Sequence, residues 1–143
     1  MLQRIQSIFL LLAAVACFGL FGLPIADTET AQAQSALFND QEYTLFDDPI
    51  LLALFGLAGA VLLIDIFLFR NRPLQIRLSW LSIALVLGGV GYAFYRLSLD
   101  SAQALAGPAL GTFLPLVVVI FAFLAKVYIG KDEDLVRSAD RLR

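Results

Sequence analysis

Histidine is absent from the chain, and cysteine occurs once, as Cys17. Without imidazole the protein lacks the commonest general base, the commonest metal ligand and the usual nucleophilic triad. One cysteine inside an apolar run allows neither a disulfide framework nor a thiolate metal site. Charge is scarce as well, at 15% of residues with a net value of −2. Nucleic-acid binding needs a basic stripe that this balance does not supply. Polar residues are missing from mid-membrane depth, and the two halves do not align as a repeat, so an inverted-repeat transporter has no support. These absences predict no catalytic residue, no metal and no cofactor.

What is present is apolar. Of 143 residues, 60% are hydrophobic, and the mean hydropathy is +0.85. A bilayer is the natural solvent for such a composition. A span needs about 20 apolar residues to cross a hydrocarbon core of roughly 30 Å. The stretch from Ser7 to Ala26 carries no charge, and Pro49 to Phe69 is broken only by Asp65. Leu78 to Tyr95 is a third run, and Pro108 to Ala125 is the heart of a fourth. All four are apolar all round, whereas helices of a soluble bundle keep a polar face. The expectation is a single-domain, all-α membrane protein, a bundle of four transmembrane helices near 7–26, 49–69, 78–95 and 108–129.

Charge placement orients the bundle. The outer loop 27–48 holds six acids (Asp27, Glu29, Asp40, Glu42, Asp47, Asp48) and no base. The connection 70–77 holds Arg70, Arg72 and Arg77 and no acid. Arg4 precedes the first helix, and Lys131, Arg137, Arg141 and Arg143 follow the last in the tail 130–143. Bases flanking spans stay on the cytoplasmic side, so both termini and the 70–77 loop are expected inside. Trp80, Tyr92, Tyr95 and Tyr128 fall near helix ends, where amphipathic rings favour the interface. Asp48 is placed to cap the second helix, and Pro49 suits its first turn. At the N-terminus, Ala31-Gln32-Ala33 imitates a secretory cleavage site. The apolar run is longer than a signal core, however, and the site lies beyond it, which favours a retained helix. Ala14-Val15-Ala16-Cys17 imitates a lipobox, but the residues after Cys17 stay apolar, so a packed cysteine is the better reading.

Asp65 is the first candidate for function, because a carboxylate inside a membrane helix is costly. Lys126 lies at a matching depth, five residues before Lys131 as Asp65 is five before Arg70. The pair is expected as an intramembrane ion pair if the second and fourth helices are neighbours, or as groups snorkelling to the headgroups. A proton or ion site is the sharper alternative. Small residues at Gly56, Ala60, Ala84, Gly88, Gly107 and Gly111 are candidates for close helix packing, within one copy or between copies. Pro115 is expected to kink the fourth helix. The outer loop reads as solvated, with a small hairpin or lid as the alternative, and matches no calcium-loop spacing. The tail reads as a helix continuing from the fourth span, with Glu133 and Arg137 in the favourable i,i+4 order. Arg70, Arg72, Arg77, Arg137, Arg141 and Arg143 are candidate contacts for anionic lipid or a partner.

The start Gln3-Arg4-Ile5-Gln6, the loop Arg70-Asn71-Arg72-Pro73-Leu74-Gln75, Pro115, and the ending Val136-Arg137-Ser138-Ala139-Asp140-Arg141-Leu142-Arg143 together resemble a family of small bacterial four-helix inner-membrane proteins. That family is known only as a domain of unknown function, and the resemblance spans essentially the whole chain. It implies four spans, a retained first helix and an inner-membrane location, and it implies no activity. The family pattern commonly carries Asn-Arg where this chain has Lys126-Val127, which makes the Asp65–Lys126 pairing particular to this chain. The leading expectation is a non-enzymatic accessory or scaffold protein of the inner membrane. Its partners would be the lipid bilayer, another membrane protein or further copies of itself. The alternative is a small oligomeric transporter or channel using Asp65 near its cytoplasmic mouth.

Overall fold

The computed structural model describes residues 2–141, with side chains from 5 to 139. Four helices dominate: α1 (Leu2–Gly19), α2 (Pro49–Phe67), α3 (Arg72–Leu99) and α4 (Leu114–Arg141). α2, α3 and the helical segment containing α4 are long and apolar enough to cross a membrane, while the apolar part of α1 is the shorter stretch Ile5–Gly19. The helices form a square in which α1 packs on α2 and α4, and α3 packs on the same two. α2 and α4 therefore lie across the diagonal. The core is built from Leu10, Ala13 and Cys17 of α1, Phe55, Ala58 and Leu62 of α2, Val86 of α3, and Val118, Ala122 and Ala125 of α4.

Helix ends follow from local chemistry. α1 stops at Gly19, short of the 26 read from hydropathy. Pro24 lies ahead, and proline cannot donate to the preceding turn and crowds it. Asp48 caps α2 by accepting from Ile50 N–H at 2.9 Å, with Pro49 in the first turn. α3 starts earlier than hydropathy suggests, at Arg72, because Asn71 accepts from Leu74 N–H and Pro73 fits the first turn. Pro115 does not kink α4. A 3-10 turn occupies Leu110–Phe113 and α4 begins at Leu114, so Pro115 sits in the first turn, where its missing donor costs nothing.

The 27–48 segment, expected as a solvated loop, is instead a packed cap. Strands β1 (Ala26–Asp27), β2 (Glu42–Tyr43) and β3 (Gly107–Pro108) form a short antiparallel sheet in the order β2-β1-β3, pairing Ala26 with both Tyr43 and Pro108. Leu37, Phe38, Tyr43 and Leu45 are buried beneath it. The apolar quartet was visible in the sequence. Its partner, the 107–113 stretch, was hidden inside the apolar run assigned to the fourth helix.

Candidate functional site

The α2–α3 connection is only four residues long, 68–71, and so tight a turn leaves the last carbonyls of α2 needing donors. The Asp65 carbonyl accepts from Leu68 N–H and from Gln75 Nε2 at 2.8 Å, reaching back from the first turns of α3. One helical turn further along α3, the Ser79 hydroxyl donates to Asp65 Oδ2 at 2.8 Å, and the Ser82 hydroxyl donates to the Ser79 carbonyl at 2.9 Å. Asp65, Gln75, Ser79 and Ser82 are all buried, Asp65 and the two serines completely or nearly so. Two acceptors in this cluster, Asp65 Oδ1 and Gln75 Oε1, have no hydrogen-bond partner among the described residues. A buried polar atom left unpaired is costly, so the cluster is short of donors. Its chemistry is that of an acceptor site, suited to a proton, a water or a cation.

Asp65 takes no part in an ion pair among the described residues. Lys126 is turned away from it by the helix arrangement, since α2 and α4 occupy opposite corners. The Lys126 ammonium lies 5.1 Å from the centre of the Trp80 ring and 5.5 Å from that of Phe123, within cation–π range. The matching depth was legible, but the adjacency that an ion pair needs is not there.

The small residues divide in the same way. Ala84 and Gly88 face outward, and a Cβ added at Gly88 would meet nothing within 4 Å. Gly56 and Ala60 are half-buried, with Gly56 in ordinary contact with Phe21. Gly107 belongs to β3 in the cap. Gly111 is a close packing point: its N–H donates to the Pro24 carbonyl at 2.9 Å, and an added Cβ would lie 2.9 Å from that carbonyl carbon. Two glycines outside the candidate packing set receive aromatic rings. A Cβ on Gly59 would lie 2.8 Å from the Phe18 ring, and one on Gly89 would lie 2.7 Å from the Phe55 ring.

At the tail end, Arg72 is ion-paired with Asp132 at 2.8 Å, and Arg137 with Glu133 at 3.1 Å. Arg70 and Arg77 are exposed. The side chain of Arg141, and all of Arg143, lie outside the described residues. At the cap end, Asp48 gathers a cluster that sequence reading missed beyond its helix cap. Arg96 Nε lies 2.9 Å from Asp48 Oδ2 without hydrogen-bond alignment, and the Tyr92 hydroxyl donates to the same oxygen at 3.0 Å. The Tyr43 hydroxyl is buried nearby with no partner. Burial, reinforced by the Asp48 charge, raises the Tyr43 pKa, so the phenol keeps its proton as a donor. Only the spacing of Asp48 and Arg96 from opposite ends of two antiparallel helices hinted at this group.

Asp100 locks the cap from the other side. Its carboxylate accepts from the Ser35 hydroxyl at 2.7 Å and from Ala102 N–H at 2.8 Å. Burial alone would raise its pKa. The hydrogen bonds from Ala102, Ser35, Leu37 and Ala36 outweigh that effect and hold the carboxyl below its ordinary range.

Among known families, the profile of one described as a domain of unknown function (DUF4293) matches residues 2–142. No curated protein and no solved structure matches the chain.

Proposed function

We propose, for a chain that belongs to the DUF4293 family of unknown function, a non-enzymatic role as an accessory or scaffold protein of the bacterial inner membrane that works through its cytoplasmic end. The protein crosses the bilayer four times with both termini inside. The grouping of bases at the tail end and acids in the cap supports that orientation. α1 counts as a span because it packs along α2 and α4 as a full member of the square.

One observation carries the reading. α4 runs unbroken from Leu114 to Arg141, 28 residues, or about 42 Å at the usual helical rise. The hydrocarbon core takes up roughly 30 Å of that, so about a dozen Ångström of helix stands in the cytoplasm. The Arg72–Asp132 pair fixes the base of this projection to the first turn of α3. The projecting turns expose Leu135, Val136 and Arg137. A rigid helix offering apolar side chains beside a cation is a surface for a partner helix or a headgroup layer. In-cell crosslinking followed by purification in mild detergent tests this. Co-purification of a stoichiometric partner that is lost in Leu135→Asp/Arg137→Glu is expected. The same partner recovered unchanged from that variant would refute the reading.

The second reading is a small oligomeric transporter or channel using Asp65 near the inner mouth. The two unpaired oxygens, Asp65 Oδ1 and Gln75 Oε1, favour it, since intramembrane acceptors mark ion paths. It fails if Asp65→Asn leaves every flux measured in vesicles unchanged.

A further inference from the structure

Where α4 would have begun, the chain instead runs as β3 and a 3-10 turn, and this leaves a gap against α3. The gap is a cavity of about 220 Å³ walled by Ala93, Phe94 and Leu97 of α3, with Tyr43, Gly107 and Pro108 among its cap-side walls. A narrower lobe of about 40 Å³ continues inward to Phe55, Val90 and Pro115. The two lobes share Ile25, Ala93, Phe94 and Thr112 as walls, so together they make one elongated slot from the cap toward the bundle interior. An apolar cavity of roughly 150 Å³ is already large enough to hold a guest molecule rather than water.

We infer that this slot is a binding site for one acyl chain of a membrane phospholipid, with the Tyr43 hydroxyl placed to donate to an ester oxygen. Three observations choose that occupant. A wide lobe of about 220 Å³ leads to a narrow one of about 40 Å³ farther in, an arrangement that a flexible chain entering end-on can fill. One of its walls, Phe94, is 67% exposed, and the 3-10 turn that carries the wall residue Thr112 also exposes Leu110 and Phe113, an apolar surface suited to the acyl region of the bilayer. Tyr43 lines the slot and its buried hydroxyl has no hydrogen-bond partner among the described residues, which an apolar guest with one acceptor would supply. The site is independent of the cytoplasmic projection and goes beyond the role proposed above.

The test uses the full chain in vesicles of phosphatidylethanolamine and phosphatidylglycerol, doped with a phospholipid carrying a diazirine at the end of one chain. After irradiation the labelled residues are mapped by mass spectrometry. Label is expected on Phe55 or Pro115 at the blind end of the slot, residues that lipid merely surrounding the bundle does not reach. Ala93→Phe, which fills the slot, is expected to lower that label several-fold while label on Leu63 and Ile64 of α2 stays the same. Ala106→Phe, on the cap side, serves the same purpose should Ala93→Phe fail to fold. Tyr43→Phe is expected to weaken retention of the lipid through detergent washing. Label confined to outward residues such as Leu63 and Ile64 overturns the inference. So does slot label that persists undiminished in a folded filling variant.

Discussion

Two adjacent glycines on α3 give opposite predictions for the same substitution. Gly89 faces Phe55, and an alanine Cβ there would lie 2.7 Å from Cε2 and 2.9 Å from Cζ of the ring. Carbon atoms in contact prefer 3.5–4.0 Å, an overlap of roughly 1 Å. Phe55 is 1% exposed and cannot swing into lipid. It does border the narrow lobe of the slot, so it can give by part of the overlap. Overpacking typically costs about 1–3 kcal/mol, and this partial relief places Gly89→Ala at about 1–2 kcal/mol destabilising. At Gly88 an added Cβ meets nothing within 4 Å. There only the helix preference for alanine acts, worth up to about 1 kcal/mol in favour of folding. Unfolding by SDS titration in mild detergent, followed by far-ultraviolet circular dichroism, measures both variants. Phe55→Leu should shrink the Gly89→Ala cost, because it removes the ring that the new methyl strikes. Equal stability of the two alanine variants, or no rescue by Phe55→Leu, would refute the packing argument.

Ser79→Ala removes the only side-chain donor to the Asp65 carboxyl among the described residues and should cost about 1–2 kcal/mol in the same titration. Ser82→Ala removes only a bond to the Ser79 carbonyl and should cost less than half as much; equal costs would show that the Asp65 contact is not what Ser79 contributes. Because the carboxyl of Asp100 is held below its ordinary value of 3.8, its lock on the cap is complete above that pH and is lost as pH falls through the lower, folded value. Protection from hydrogen exchange over residues 32–41, relative to the intrinsic rate at each pH, should therefore hold at pH 5 and fall only below about 4, and Asp100→Asn should be poorly protected at both. Raising salt should instead loosen the tail, whose anchor is the partly exposed Arg72–Asp132 pair, as read by protease cleavage after Lys131. For orientation, Cys17 is buried, which leaves a silent background. Gln34→Cys should react with an impermeant maleimide on intact cells, and Ser138→Cys only after lysis; the reverse pattern would invert the topology.

Hydropathy made the apolar segments legible because period-free apolar runs of this length have one cheap solution in lipid, the helix. Charge grouping, the cap at Asp48 and the Glu133–Arg137 pair were legible for similar reasons, since each depends on residues close in sequence. What was not legible depended on neighbours. Asp65 and Lys126 share a depth, yet only the square arrangement shows that they occupy opposite corners and bind Ser79 and Trp80 instead. Pro115 looked like an interior kink until Gly111 was seen held against Pro24, which delays the helix to Leu114. Gly88 and Gly89 are indistinguishable as letters, and only the position of Phe55 separates a notch from a bare surface. The cap was missed because its third strand, Gly107–Pro108, comes from a segment whose hydropathy fits a span.

The two ends of the bundle are held by different kinds of force, and that bears on where function lies. At the cap end the bonds are directional and nearly all used: Asp48 serves Ile50, Tyr92 and Arg96, and Asp100 serves Ser35, Leu37 and Ala102. Such an end is fixed in shape, and the Tyr43 hydroxyl, idle among the described residues, belongs to a residue that lines the slot. A rigid frame around an apolar gap suits retention of something that already lies in the membrane. At the tail end a single ion pair at the base of a helix leaves the next turns unsupported and their apolar side chains uncovered. Exposed leucine and valine beside arginine gain nothing from water, and they gain most from a surface that supplies both apolar contact and negative charge. On the role proposed above, the bundle separates a closed cap end from an open tail end, which is the division expected of a protein that stays anchored while something else docks.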